Sequence, residues 1–165
     1  MSVAKSKGRA TSSPATPGGK KGLTSKAYQL RITLLGTSPP IWRRVLVPPE
    51  ASAEYLHQTI QTAMGWYDCH LHAFLLGKRP NIISVEPPDP ENEGVYPTID
   101  SSRLTIRALF QKGGGRALYE YDFGDSWEHA IQLEKEIECP PGTTLPHCVD
   151  GKRACPPEDC GGVYG

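Results

Sequence analysis

Two stretches of this chain repeat apolar side chains at every second residue, and that period dictates sheet. From Ala27 to Leu35, Tyr28, Leu30, Ile32 and Leu34 fall on one side of an extended chain and Gln29, Arg31 and Thr33 on the other. From Tyr119 to Leu133 the alternation returns around Gly124. Tyr119, Tyr121 and Phe123 share a face before the glycine, opposite Glu120 and Asp122, and Trp127, His129, Ile131 and Leu133 share one after it. Successive strand side chains point to opposite faces, so each stretch predicts strand with one buried face, the second as a hairpin turning at Gly124-Asp125. Ile41 to Val47 lies between Pro39-Pro40 and Pro48-Pro49. It predicts the antiparallel neighbour of the first strand, ended where proline offers no amide to the ladder.

The period changes to helical once with clear punctuation. Leu56, Ile60 and Met64 recur at helix spacing beside Ala53 and Ala63, with Ser52 as N-cap and Gly65 as stop. His57 sits at the border of that stripe. Residues 70–76 predict a third strand, with His70, His72 and Phe74 on one face and Leu71, Ala73 and Leu75 on the other. Its two histidines either line the less buried face of an edge strand or lie close enough to share a metal or anion. Residues 79–100 predict a long acidic surface loop with one short strand at Ile82 to Val85, and Leu104 to Phe110 a short helix capped by Ser102, or a strand. After Glu138 periodicity is lost, which predicts a wrapped loop. A chain of 165 residues with 38% apolar content supports one modest core. The expected fold is a single α+β domain, a mostly antiparallel sheet with one principal helix packed on it.

The formal net charge of zero hides an asymmetry. Residues 1–26 carry six basic side chains (Lys5, Lys7, Arg9, Lys20, Lys21, Lys26) and no acidic one, leaving 12 basic against 18 acidic in residues 27–165. The first segment predicts a disordered basic leader and the rest the folded domain. Non-specific affinity for a phosphate backbone comes from lysine and arginine, so nucleic acid is expected to be held only weakly, through the leader. No apolar run approaches the ~20 residues that cross a bilayer, and no apolar signal segment opens the chain. The expectation is a cytoplasmic protein without a membrane partner.

Chemistry-bearing residues crowd the hairpin. Asp122, Asp125, Glu128 and His129 fall within eight residues around Gly124, with Trp127 among them. Two explanations are open: the aspartates accept amides of the turn, as aspartates often do, or the group holds a divalent cation or relays a proton. With His57, His70 and His72 these residues form the candidate functional cluster His57, His70, His72, Asp122, Asp125, Trp127 and His129. There is no nucleophile elbow, no His-Glu-x-x-His, no dinucleotide glycine pattern and no phosphate loop. A metal-assisted hydrolase using dispersed histidines and aspartates is compatible with those absences.

Four of the five cysteines fall in the last 27 residues with the spacing C-x8-C-x6-C-x4-C. An odd count without a secretory signal favours reduced thiols or a metal over disulfides. His147, Cys148, Cys155 and Cys160 are the candidate ligands of a structural zinc, although no C-x-x-C is present.

Pro39-Pro40-Ile41-Trp42-Arg43-Arg44, the His57-Gln58 helix ending in Met64-Gly65-Trp66, His70-Leu71-His72-x-Phe74, Tyr121-Asp122-Phe123-Gly124-Asp125-x-Trp127-x-His129 and Ala154-Cys155-Pro156-Pro157-Glu158-Asp159-x-Gly161-Gly162 occur in that order. Together they resemble the plasmid pRiA4b ORF-3-like family, some of whose members are labelled as insertion-sequence passenger proteins with a TnpR name. The resemblance spans residues 27–165 and implies an α+β domain but no particular reaction. It also implies a further segment beyond Gly161-Gly162, so that the chain is expected to be shortened at its C-terminus. On this basis the expected function is a binding or accessory protein of mobile-element origin, with a protein partner. The alternatives are a metal-dependent enzyme using the His/Asp cluster and an adaptor built on structural zinc.

Overall fold

The computed structural model describes residues 25–91 and 94–165. The expected leader, with its expected contact to nucleic acid, lies up to residue 24 outside the described residues. The first strand begins at Ser25, and Lys26 already pairs with Glu136 at 2.7 Å.

Eight strands form one sheet: β1 (Ser25–Leu34), β2 (Ile41–Val47), β3 (His72–Leu76), β4 (Ile83–Glu86), β5 (Thr98–Asp100), β6 (Arg116–Tyr121), β7 (Trp127–Cys139) and β8 (His147–Lys152). Their order is β5-β4-β3-β6-β7-β1-β2-β8, and every neighbouring pair is antiparallel except β4 and β5. The fold is α+β. The spine is β1 against β7, where Ile32 lies opposite Ile131 and a bulge interrupts the register between Gln29 and Leu30. Tyr28, Leu30, Ile32 and Leu34 are buried as their spacing predicts. They share one core with Leu56 and Ile60 of helix α1 (Ala53–Met64) and with Ile106 and Leu109 of helix α2 (Ile106–Lys112). The opposite face is held differently: the guanidinium groups of Arg31 and Arg44 both lie over the Trp42 ring, 4.4 and 5.1 Å from its centroid.

Ser52 caps α1 by accepting the Tyr55 N–H, and Gly65 ends it at φ 83°, a conformation that favours glycine. Replacing Ser52→Ala is expected to lower stability by about 1 kcal/mol. Urea unfolding should show a shifted midpoint and an unchanged slope.

Several expectations are corrected. The hairpin does not turn on two residues. Asp122 accepts the Gly124 and Asp125 amides and takes φ 56°, so β6 stops at Tyr121 and Phe123 leaves the buried face. The third strand begins at His72, not His70, and is interior rather than an edge, because β4 and β5 pair beyond it within the segment expected to be mostly loop. α2 is capped by Thr105, whose hydroxyl accepts the Ala108 N–H. Ser102 instead bonds Asp100. The stretch after Glu138 contains β8, which pairs with β2 but exposes every residue and so carries no apolar period. Among the described residues no helix is long and apolar enough to cross a membrane.

Candidate functional site

α1 presents His57 and Gln61 one turn apart on its sheet-facing side, and both reach the hydroxyl of Tyr119 on β6. Gln61 Nε2 donates to that oxygen at 3.0 Å, so the phenolic proton goes to His57 Nδ1 at 2.8 Å. His57 Nε2 is then the donor to Asp68 Oδ1 at 2.8 Å, and the Asp68 amide returns to Gln61 Oε1 at 3.1 Å. The ring of bonds closes. Burial holds the Tyr119 phenol well above its usual range, which keeps it a donor.

Against this ring lies His72, delivered by β3 opposite Tyr121. Its imidazole stacks on His57 with centroids 3.4 Å apart and planes 4° from parallel. Its Nε2 is buried without a hydrogen-bond partner, and the nearest charge is Glu54 Oε2 at 3.6 Å. Burial, reinforced by His57, pushes the His72 imidazole down to about 3.

His70 belongs to a second group. Its Nε2 lies 2.8 Å from Asp159 Oδ1 and 3.6 Å from Asp122 Oδ2, half-buried at the rim. The neighbouring Tyr121 hydroxyl donates to Glu158 at 2.7 Å and accepts the Cys69 amide at 2.9 Å. Glu158 also accepts the Tyr67 amide, and the Trp66 indole donates to the Pro156 carbonyl. These bonds tie residues 156–159 across the end of α1 and the sheet. Asp125 completes the tie by accepting the Gly161 amide at 3.0 Å, where any Cβ on Gly162 would come 2.5 Å from the Asp125 carbonyl.

The seven candidate residues therefore divide. His57 and His72 meet; His70 and Asp122 meet elsewhere; Asp125 anchors the C-terminal segment. Trp127 and His129 are wholly buried around Trp66, whose ring lies 5.2 and 5.3 Å from theirs. Of the two explanations open for Asp122, Asp125, Glu128 and His129, the shared site does not form, because alternation along β7 sends Glu128 outward opposite Glu120 and His129 inward. His129 Nδ1 donates to the Trp127 carbonyl, its Nε2 has no partner, and burial lowers the imidazole to about 4. Glu54, Gln61, Asp68 and Tyr119 are the residues that sequence reasoning missed. Glu54, His57 and Gln61 recur at three and four residues, a polar line on α1 that marks one helix face.

The cysteine loop does not form a centre. Cys148 is exposed on β8, Cys155 packs its sulfur 3.1 Å from that of Met64, and Cys160 turns toward the Gly162 carbonyl. Among the described residues, no group of three possible ligands brings together His147, Cys148, Cys155 or Cys160. The two groups that do assemble are Glu54, His57, His72 and His70, Asp122, Asp159.

Fold and site together define a class: an α+β domain whose mostly antiparallel sheet and α1 bury a histidine–tyrosine network, with the C-terminal segment tied beside it to Trp66, Tyr121 and Asp125. The chain belongs to the plasmid pRiA4b ORF-3-like protein family, whose model matches residues 26–165. It is 36% identical over 144 residues to an uncharacterized protein, y4hQ, of Sinorhizobium fredii, spanning 87% of this chain and 71% of that one. The crystal structure of a protein of unknown function, MM3350, from Methanosarcina mazei Go1 superposes with a TM-score of 0.76 at 36% identity, covering 88% of this chain and 79% of the other.

Proposed function

We propose that the protein is a binding or accessory protein that holds a basic, partly apolar segment of a partner protein on the open face of its sheet. The observation that carries this is a trough made of two adjoining cavities of about 270 Å³ each, which share Glu86 and Phe123. One is walled by Leu71, His72 and the prolines of residues 87–90, with Asp89 at its side. The other is floored by Ala73 and Leu75, with Glu120 and Tyr96. Carboxylates on apolar walls select a ligand that is both cationic and apolar, and Leu71 and Phe123 are exposed large hydrophobic residues at its mouth. The hairpin polar groups are already engaged in holding the turn and the C-terminal segment, which favours binding over catalysis. The plasmid in the family's name supports an accessory role in a mobile element.

Fluorescence anisotropy with a labelled peptide alternating Arg and Phe tests this reading. Binding should weaken with salt, and Phe123→Ala should reduce affinity about tenfold, since aromatic anchors dominate such contacts. Glu86→Gln combined with Asp89→Asn should weaken binding and flatten its salt dependence. Equal affinity for a Glu-for-Arg peptide, or indifference to both variants, would overturn it.

A further inference from the structure

The interior next to α1 contains an arrangement that neither the fold nor the trough requires. Glu54, His57 and His72 each offer a ligand atom, and the three atoms lie within 4.8 Å of one another. His57 is 1% and His72 5% exposed. An unpartnered buried nitrogen is costly, and His72 Nε2 is such an atom, with a carboxylate in front of it. We infer that Glu54, His57 and His72 form a site for a divalent transition cation of the zinc type, ligated by nitrogen and oxygen. His72 also lines one cavity of the trough, so the two sites adjoin, but the assignment rests on the three ligand atoms and not on the reading of the trough.

The spacing and donor chemistry support this. Zinc takes imidazole nitrogen and carboxylate oxygen at about 2.0–2.2 Å in tetrahedral geometry, which separates two of its ligands by about 3.4 Å. His72 Nε2 and Glu54 Oε2 stand 3.6 Å apart. Both carry free coordinating capacity, because Glu54 Oε2 accepts only the Ser101 hydroxyl at 3.1 Å. His57 enters as third ligand by exchanging one of its two hydrogen bonds. Asp68, being half-exposed, is the partner most readily released; Nε2 then binds the cation, the imidazole proton moves from Nε2 to Nδ1, and the Tyr119 oxygen accepts from Nδ1 in place of donating to it. Parallel rings at 3.4 Å aim their lone pairs side by side, so ligation also turns one imidazole out of the stack. The cation would supply the partner that Nε2 lacks and set a positive charge against Glu54.

The test uses the full chain freed of metal by chelator and titrated with Co(II), followed by Zn(II) competition. One equivalent of Co(II) should give the visible absorption of a low-symmetry nitrogen–oxygen site without a thiolate-to-metal charge-transfer band, and zinc should displace it. His72→Gln should lower affinity about tenfold or more, as should Glu54→Gln, which keeps an acceptor for Ser101 and sits at a half-buried position if the first variant fails to fold. Replacing Cys148, Cys155 and Cys160 together by Ser should leave the spectrum unchanged. A thiolate band, loss of binding in the cysteine variant, no uptake, or uptake indifferent to Glu54→Gln overturns the assignment.

Discussion

Metal-free protein is expected to lose stability as the pH falls from about 6.5 toward 4, with His129 as a principal cause. The ordinary imidazole value of 6.5 is lowered to about 4 in the fold, because the ring is fully buried. Between those two values the unfolded chain binds a proton that the folded chain refuses. Unfolding is therefore favoured by acid: the stability is fully present above about pH 6.5 and lost as the pH falls to about 4. Each such group contributes a slope of about 1.4 kcal/mol per pH unit, so His129 alone accounts for about 3 kcal/mol across the window. His72, lowered to about 3 by burial and by His57, acts in the same direction. Glu134 and Glu136, lowered chiefly by their hydrogen bonds to Arg44 and Lys26, withdraw their support only below the normal carboxylate range. Urea unfolding at half-unit pH intervals measures the slope. His129→Phe keeps an aromatic ring in place and should flatten it by about one proton's worth, whatever the variant's stability at pH 7. An unchanged slope would mean that His129 is protonated in the fold.

The elements that could be read from the sequence are those whose burial alternates cleanly. β1, α1 and the inner face of β7 were legible because one face of each meets the core, and the Ser52 and Gly65 signals are local chemistry. β5 and β8 were not: β5 has three residues and no buried one, and β8 is exposed throughout, so their pairing follows from the edges of β4 and β2 rather than from side-chain pattern. The position of the hairpin turn depended on which of two aspartates captured the amides, and spacing cannot choose between Asp122 and Asp125. His57 and His72 were legible as suspicious residues but not as a pair. Their contact depends on β3 placing His72 on the face that α1 covers, and residue spacing alone does not show which strand lies under the helix.

Tyr119→Phe is expected to cost about 2–4 kcal/mol, although it removes one atom. The lost hydroxyl leaves His57 Nδ1 without its donor and Gln61 Nε2 without its acceptor, both inside the core, and each unpaired buried group carries about 1–3 kcal/mol. Gln61→Leu should cost less, because Tyr119 keeps its bond to His57 and the Asp68 amide stands in a partly exposed loop. The double variant should then cost less than the two changes added, by about 1 kcal/mol, since the second substitution removes a group the first had already orphaned. Strict additivity in urea unfolding would show that the ring of bonds is not cooperative. The same variant separates the two faces of the sheet. Tyr119 points into the core and its neighbour Glu120 onto the face that carries the trough, so folded Tyr119→Phe protein should bind the basic peptide as the parent does. A weakened peptide affinity in fully folded Tyr119→Phe would mean that the network acts on the trough through His72, which stacks on His57 and lines one of its cavities.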